Sequence, residues 1–456
     1  MKKHSHNMIN GPLLPSIITY TIPLILTSIL QLLFNAADLV IVGRFCGSVS
    51  VAAVGATGSI TTLVITLFVG FSVGAGVAVA HGMGAREEEA VHRTVHTAMP
   101  MALIGGAVLT VVGVLFSEDL LIMMGTPESV LPLSTLYMQI YFGGMIFNMV
   151  YNFAASILRA AGDTKSPLIF LSLAGVVNVG LNVFFVTALH MNVAGVALAT
   201  TASQAVSAIL VTITLMRRKD ACRLYLKKMR FYKIQLLKMI RIGLPAGLQS
   251  SLFSISNVLI QSSINSFGEI VMSGNAAAGN LEGFIYVLMN AFHQTTVNFV
   301  GQNVGARKYD RVKKTLYLCL ACVTVSGLVA SILMYSFAPQ LLSIYITDSA
   351  DAIASGVTRM SVVCLTYFLC GLMDTSTGAL RGMGASLTPM IISVLGVCGI
   401  RLGWIFTIFQ IPQFHTPWWL YFSYPISWIA TFVAQFVAFK KLYKKRMEMF
   451  GPGEGK

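Results

Sequence analysis

Long apolar stretches, separated by short polar segments, dominate the hydrophobic pattern of the chain. A helix needs about 20 apolar residues to cross the hydrocarbon core of a bilayer. No stretch alternates polar and apolar residues in the manner of a barrel strand. The pattern therefore predicts an all-α polytopic membrane protein with twelve transmembrane helices, at about 14–43, 51–80, 94–116, 132–158, 166–188, 193–216, 239–267, 274–300, 315–337, 355–380, 386–410 and 417–439.

Several short motifs of the first half recur in the second half at a nearly constant spacing. Such a repeat indicates internal duplication. Each half has six predicted spans, so both halves begin on the same side, as two six-helix bundles related by a pseudo-two-fold axis along the membrane normal. The matched positions, 221 or 222 residues apart, are Gly84-Ala85-Arg86 with Gly305-Ala306-Arg307, Leu158-Arg159 with Leu380-Arg381, Gly162 with Gly384, Pro23 with Pro245, and Asn35 with Asn257.

The duplication predicts three segments. An N-lobe over 1–216 holds the first six spans, and a C-lobe over 242–456 holds the other six. The intervening segment, 217–241, mixes basic and apolar residues. We expect it to form a cytoplasmic linker and an amphipathic helix on the membrane surface.

Basic residues lie almost entirely on one side of the predicted membrane. With the N-terminus placed inside, 28 of the 31 Lys and Arg residues fall in cytoplasmic tails and loops, and Arg44 falls outside. Arg359 and Arg401 fall within spans. This asymmetry predicts a multi-pass protein of the cell membrane with both termini in the cytoplasm. It also explains the net charge of +14, so anionic lipid headgroups are the expected partners and nucleic acid is not.

Composition and motifs exclude several classes of function. A chain with 55% hydrophobic and 11% charged residues is not a soluble enzyme. The sequence has no GxxxxGK[ST], GxSxG or HExxH motif, so neither enzymatic activity nor a cofactor is predicted. Transport by such a chain would draw on an ion gradient.

The first predicted span carries an acidic residue, Asp38, on one helix face with Gln31, Phe34 and Asn35. An ionisable group in hydrocarbon is costly, and its default interpretation is functional. A carboxylate near amide and hydroxyl oxygens suits either Na⁺ or a proton. The alternative is that Asp38 only joins a hydrogen-bond network between helices. The fifth span adds Asn178 and Asn182, four positions apart on one helix face, and the sixth span adds Thr200.

Two acids also fall within spans of the second half. Glu282 shares a polar stripe with Tyr286, Asn290 and His293, whereas Asp374 matches Asn152 of the first half by the repeat. They form either an acidic patch for a cationic substrate or a buried polar network. Arg401 is expected to pair with Glu282 or Asp374 in a structural role. The residues predicted to line a substrate cavity are Gln31, Phe34, Asn35, Asn152, Glu282, Tyr286, Asn290 and Asp374.

The twelve spans, the duplication, and the paired GAR and LRxxG motifs resemble the multidrug and toxic compound extrusion (MATE) family. The most specific parts are the first-span pattern of Pro23, Gln31, Asn35, Asp38 and Gly43 and the sequence at 379–384. The resemblance covers about 13–439. It implies an antiporter that exports organic, often cationic, compounds in exchange for Na⁺ or H⁺.

The resemblance also implies an ion site at Asp38, Asn178, Asn182 and Thr200, with Na⁺ possible at the first three. Some family members have an aspartate where this chain has Asn182, so both Na⁺ and H⁺ remain open as the coupling ion. Some members also place acids in their seventh and tenth spans. Here the seventh-span position holds Phe253, and Asp374 is displaced by about one turn, so that second site is not transferred.

The sequence leaves two hypotheses for the function. In the first, a monomeric antiporter exports lipophilic or cationic small molecules, and the kink-prone Pro23 and Pro245 allow the helices to rearrange. In the second, a flippase moves a lipid-linked saccharide or another amphiphile, which would require a basic cleft for phosphates. The three acids and two arginines within the predicted spans favour the first.

Overall fold

A computed structural model of the chain describes residues 7–347 and 349–450, except for the side chains of Ser48 and Ser59. All regular elements of these described residues are helices, which confirms the predicted all-α class. The terminal segments 1–6 and 451–456, predicted to be cytoplasmic, lie outside the described residues.

Among the described residues, the first half of the chain has seven α-helices. A π-helical segment, Phe184–Ala188, continues the sixth, and a break at Gly144 separates the fourth and fifth. The helices are α1 (Leu13–Phe45), α2 (Ser48–Ala85), α3 (Glu88–Met123), α4 (Leu131–Gly143), α5 (Met145–Ala160), α6 (Lys165–Val183) and α7 (Asn192–Arg217).

The second half has nine α-helices within residues 233–347 and 349–450. Two further π-helical segments, Met360–Cys364 and Val394–Gly399, join consecutive helices. The helices are α8 (Lys233–Asn265), α9 (Glu269–Gly305), α10 (Tyr309–Ser336), α11 (Ala338–Ser343), α12 (Ala350–Arg359), α13 (Tyr367–Gly382), α14 (Leu387–Ser393), α15 (Ile400–Phe406) and α16 (Pro417–Phe450).

These helices coincide with the predicted spans. Within the described residues, eight are long and apolar enough to cross a membrane, or ten if two bent pairs each count as one span. The bent pairs are α4 with α5, at 47°, and Ala350–Cys364 with α13, at 41°. The seventh and eighth predicted spans lie in α8 and α9, which are 33 and 37 residues long but are not among these eight helices.

The chain divides into two compact units, and α1 and α8 each contribute to both. The first unit contains Ile22–Gly247, and the second contains Met8–Thr21 and the chain from Leu248 onward. The division of α1 is next to Pro23, and that of α8 is two residues after Pro245. Both helices continue through their prolines. The units therefore differ from the predicted lobes in the first turns of these two helices.

The beginning of α1 packs against α9 in the second unit. The rings of Tyr20 and Phe299 meet edge to face with centroids 5.4 Å apart. The hydroxyls of Thr21 and Thr295 share a hydrogen bond of 2.8 Å. These contacts attach the residues before Pro23 to the second unit.

The beginning of α8 packs against α2 in the first unit through small residues. Gly70 and Gly74 of α2 face Gly243 and Gly247 of α8, and a methyl group at Gly243 would lie 2.6 Å from the Cα atom of Phe71. Small residues four positions apart allow helix backbones to approach this closely in a membrane.

The predicted amphipathic helix is not formed. Of the described residues 218–232, only Leu226–Lys228 are helical, as a short 3₁₀ turn. The basic and apolar residues from Lys233 onward are the start of α8 rather than a separate surface helix. We call residues 218–232 the linker.

The linker remains irregular because side chains of α3 bind its backbone. The Nε2 atom of His96 accepts a hydrogen bond from the Tyr225 amide at 2.9 Å. The hydroxyl of Thr97 accepts another from the Tyr232 amide at 3.2 Å. These amides are therefore satisfied without a helix.

The duplicated motifs form the same turns in both halves. Arg86 and Arg307 have left-handed backbone angles, with φ of 58° and 56°. Gly162 and Gly384, in the LRxxG motifs, have φ of 89° and 84°, a region in which glycine carries no steric penalty. The recurrence in sequence therefore reflects a recurrence of local structure.

We expect Gly243→Ala to lower the free energy of unfolding in detergent by about 1–3 kcal/mol, because its methyl group overpacks the contact between α2 and α8. Gly55→Ala, on α2, is the matched control because no atom lies within 4 Å of its added methyl group. Denaturant titration followed by circular dichroism would measure both. Equal stability of the two variants would contradict the close packing.

Candidate functional site

Four residues predicted to act together lie side by side in the first unit, around the carboxylate of one of them, Asp38. The amide nitrogen of Asn182 donates to Oδ1 of Asp38 at 2.5 Å. The hydroxyl of Thr200 lies 3.4 Å from Oδ2, where it can donate, and 3.0 Å from the carbonyl oxygen of Val196, its alternative acceptor. The same Asn182 nitrogen donates to Oδ1 of Asn178 at 3.2 Å, and Nδ2 of Asn178 donates to the Thr200 hydroxyl at 3.4 Å. We call these four residues, from α1, α6 and α7, the Asp38 site.

The Asp38 site is largely shielded and holds one negative charge. Asn178 and Asn182 are buried, whereas Asp38 and Thr200 are half-buried. In the described part of the chain no basic side chain forms an ion pair with Asp38. Only neutral dipoles stabilise the carboxylate, so binding a cation or a proton would relieve its desolvation.

The orientation of the Asn182 amide favours a proton over Na⁺ at the Asp38 site. Na⁺ would require oxygen ligands from Asp38, Asn178 and Asn182. Here Asn182 turns its amide nitrogen to the carboxylate, and its buried oxygen has no hydrogen-bond partner among the described residues. A sodium ion would require the amide to turn over, whereas a proton would require no new oxygen ligand.

Of the other predicted residues of α1, two are exposed and one packs against α6. Gln31 and Asn35 are exposed on the face that carries Asp38. The ring of Phe34 lies against Gly175 of α6, where an added methyl group would overlap it. Phe34 therefore contributes to the packing of α1 on α6.

Glu282 of α9 forms a buried ion pair with Arg359 of α12. Nη2 of Arg359 lies 2.7 Å from Oε2 of Glu282, and Nε donates to Oε1 at 3.1 Å. A third donor, Nη1, reaches Oδ1 of Asn275 at 2.6 Å. Both charged side chains are nearly inaccessible, at 3% and 8% exposure. The charge of Glu282 is therefore neutralised within the second unit.

The prediction that Arg401 pairs with Glu282 or Asp374 is wrong. Nε of Arg401 donates to the hydroxyl of Ser427 at 3.0 Å, and the guanidinium lies 4.1 Å from the ring centroid of Tyr424. Arg401 is buried, and no acidic side chain in the described residues pairs with it. Aromatic faces and one hydroxyl of α16 replace the expected acid.

The carboxylate of Asp374 has no hydrogen bond or salt bridge among the described residues, and it interacts only at longer range with the charge of Arg381. The backbone carbonyl oxygen of Asp374 accepts a hydrogen bond from Nδ1 of His293 at 2.6 Å, but no hydrogen bond or ion pair reaches the half-buried side chain. In the first half, the matching Asn152 donates to the backbone and side-chain oxygens of Asn148, both at 2.9 Å.

Arg381 was placed in a loop by the sequence, but it is buried in the last turn of α13. Its Nη2 donates to Oε1 of Gln249 at 2.8 Å, and its Nη1 donates to Nε2 of His293 at 3.3 Å. The helix-ending LRxxG motif was the only sequence signal for this position. The second unit thus buries three arginines, at 359, 381 and 401. The sequence counted only two of them within spans, so it underestimated the buried positive charge of this unit.

The remaining predicted residues lie on an open face of α9. Tyr286 is 44% exposed, and Asn290 is half-buried. Gly279 and Gly283, on the same helix face, have open space where a side chain would stand. Glu282 turns away from this face toward Arg359, so the predicted polar stripe of α9 is divided.

Comparison with known proteins matches both halves of the chain. The MatE family model matches residues 23–184 and again residues 245–406. The chain is 26% identical over 390 residues to the probable multidrug resistance protein YoeA of Bacillus subtilis, covering 84% of each chain. It is 24% identical over 392 residues to the probable multidrug resistance protein NorM of Thermotoga maritima, covering 85% of this chain and 83% of that one.

The fold also matches solved structures over nearly the whole chain. One of them, described as the outward-facing conformation of a multidrug resistance MATE family transporter, has a TM-score of 0.88 at 20% identity. The match covers 97% of this chain and 99% of that one. With both of its halves matched by one family model, the chain belongs to the MATE family of membrane transporters.

Proposed function

We propose that this protein is a secondary antiporter that exports lipophilic, mainly cationic, compounds in exchange for protons. The observation that carries the proposal is the Asp38 site, a single carboxylate of α1 held by neutral donors from two other helices, with no basic partner among the described residues. Membership of a transporter family and the multidrug names of its relatives support export as the direction.

The proposed coupling step is the protonation of Asp38. A neutral carboxyl group is a weaker acceptor, so the hydrogen bonds from Asn182 and Thr200 weaken when the proton binds. The attachment of α1 to α6 and α7 then loosens. Pro23 has no N–H to donate within α1, so the helix bends most easily there. The segment of α1 between Pro23 and Asp38 is the proposed moving part.

The substrate contacts are proposed on open faces that carry acids. In the first unit, Gln31 and Asn35 lie exposed on the face of Asp38, which would attract a cation. In the second unit, the carboxylate of Asp374 has no hydrogen bond or salt bridge in the described residues, and Tyr286 is exposed. We exclude Glu282 from the contacts proposed here, because Arg359 already neutralises it.

We further infer that the protein is a monomer in the cell membrane with both termini in the cytoplasm. The support for the orientation is the distribution of basic residues, which also makes anionic lipid headgroups the expected neighbours of the cytoplasmic surface. We assign it no enzymatic activity and no cofactor, since an ion gradient supplies the energy.

One observation favours a second candidate function, a flippase for a lipid-linked saccharide or another anionic amphiphile. Such a protein needs cationic groups for phosphates, and the second unit buries Arg381 and Arg401 without a salt bridge to either among the described residues. The first candidate is favoured because the Asp38 site offers only a negative charge.

We expect Asp38→Asn to abolish the efflux of a cationic dye driven by a pH gradient, a loss of at least about tenfold, since the amide cannot bind a proton. Proteoliposomes with imposed H⁺ or Na⁺ gradients would measure it. Asp351→Asn is the control, because Asp351 is exposed at the start of α12. Full efflux by folded Asp38→Asn would overturn the mechanism. Failure of wild type to respond to either gradient would favour the flippase.

We expect wild-type efflux to respond to the pH gradient alone, and Asn182→Asp to add a response to Na⁺. The substitution supplies a second carboxylate beside Asp38, and two carboxylates hold a hard cation better than one. The comparison of initial efflux rates at equal gradients tests this. A strong Na⁺ response of the wild type would replace the proton by sodium in the proposal.

We expect Glu282→Gln to lower the free energy of unfolding by about 3–5 kcal/mol, because it leaves Arg359 buried without a counter-charge. Glu282→Gln with Arg359→Gln should recover part of that loss.

Asp374→Asn should retain stability but weaken the binding of a cationic dye. Denaturant titration and dye fluorescence would measure the two effects, and a stable Glu282→Gln with weakened dye binding would reverse these roles.

A further inference from the structure

Two apolar grooves lie on the outer surface of the first unit, on either side of the contact between α3 and α5. One has a volume of about 220 Å³ and the other about 310 Å³. Several of the large side chains that line them, including Ile104, Val108 and Ile209, are exposed. In a membrane-spanning unit, exposed apolar side chains of this kind face lipid tails.

The linker closes one end of both grooves. Phe231 lines the smaller groove together with Phe68 and Phe71 of α2. Leu226 and Met229 line the larger groove together with residues of α5 and α7. One short segment of chain thus separates two surfaces suited to acyl chains from the aqueous side.

This segment also carries a concentrated positive charge. From residue 221 to residue 241 the chain has seven basic residues and no acidic one. Lys227, Lys228 and Arg230, between the groove-lining residues, are exposed. Lys228 lies 4.9 Å from the ring centroid of Tyr225, and Arg230 lies 4.6 Å from that of Tyr232.

The nearest acid in sequence does not cancel this charge. Asp220 forms an ion pair with Arg218. Burial opposes the ionisation of Asp220, but the hydrogen bond and charge of Arg218 outweigh it and hold the pKa of Asp220 below its ordinary value. Asp220 therefore remains ionised and satisfied near neutral pH. Glu89 of α3, which forms an ion pair with Arg93, adds a longer-range attraction to Lys228. No acid of the described residues forms a salt bridge with the three exposed cations, so they can bind a ligand.

We propose that the linker and the two grooves form a binding site for one anionic phospholipid of the inner leaflet. Lys227, Lys228 and Arg230 bind the phosphate, and the acyl chains lie in the grooves beside α3. The site requires only that the chain lies in a membrane, as the proposed function also does. The proposal goes beyond a general affinity for anionic headgroups, because it assigns one binding site with a polar part on the linker and an apolar part in the grooves.

The bound lipid would hold the linker on α3 in addition to the hydrogen bonds from His96 and Thr97. Because the linker leads directly into α8, a lipid at this place would fix the beginning of a helix that contributes to both units. The proposed effect is therefore on the stability of the first unit and on the start of α8, and not on the Asp38 site.

Native mass spectrometry of the detergent-solubilised protein tests the site with phosphatidylglycerol and phosphatidylethanolamine of equal chain length. We expect one phosphatidylglycerol to bind at least about tenfold more tightly than phosphatidylethanolamine. Replacement of Lys227, Lys228 and Arg230 by Gln should weaken it about 100-fold, since each basic side chain near an anionic surface contributes about fivefold. Equal binding of the two lipids by the wild type would overturn the proposal.

A matched control separates this site from general attraction. Replacement of Lys440, Lys441 and Lys445 by Gln, all exposed on α16, removes the same charge elsewhere and should leave the tight lipid bound. Equal losses from the two triple variants would show that charge alone attracts the lipid, against the proposal.

Two further arms identify the ligand. Thr212→Trp fills the larger groove, so it should weaken phosphatidylglycerol, while glycerol phosphate should not compete at all. Competition by glycerol phosphate, or displacement of the lipid by an exported dye at its transport concentration, would overturn the assignment. Lipid binding needs no gradient, so failure of the efflux experiments alone would leave this result standing.

Discussion

A charge within the hydrocarbon region must have a partner or access to water, because placing it there costs roughly 2.5–3.5 kcal/mol on insertion scales. The second unit meets this constraint by pairing Glu282 with Arg359 and by placing Arg401 against the ring of Tyr424. The first unit meets it with neutral donors around Asp38. The carboxylate of Glu282 stays ionised because Arg359 pairs with it, whereas the carboxylate of Asp38, held by an amide and a hydroxyl, can accept a proton. This contrast between Glu282 and Asp38 is the physical basis of the coupling proposal.

The duplication preserved the helical scaffold while its interior diverged. The turns at Arg86 and Arg307 have nearly the same backbone angles, and the same family model matches each half. At the repeat spacing of 222 residues, however, Asp38, Asn178 and Asn182 correspond to Ile260, Ile400 and Trp404. Ile260, which is buried, and Trp404 belong to or border an apolar and aromatic cluster of the second unit, and Ile400 is half-buried. A single scaffold thus carries a polar site in one half and tight packing in the other, so the halves have different chemical tasks.

Two helices, α1 and α8, contribute to both units. The beginning of α1 packs on α9 through Tyr20 and Phe299, and the beginning of α8 packs on α2 through glycines. The change of unit falls just before Pro23 in α1 and two residues after Pro245 in α8, and each proline lacks one backbone hydrogen bond. An event at the Asp38 site and a ligand on the linker would therefore each act on a helix that belongs to both units.

The sequence by itself determined the all-helical class, the duplication and the residues of the Asp38 site. Span length, helix periodicity and the cost of an isolated acid are properties of single stretches, and the family pattern added the positions on α6 and α7. Only the tertiary structure decided which charges neutralise one another. Arg359 lies 77 residues from Glu282, and Arg401 binds Ser427 and Tyr424 rather than an acid. Likewise, the linker is irregular because His96 and Thr97 of α3 take up its amides. Partners of this kind depend on distances across packed helices, which the spacing of residues along the chain does not encode.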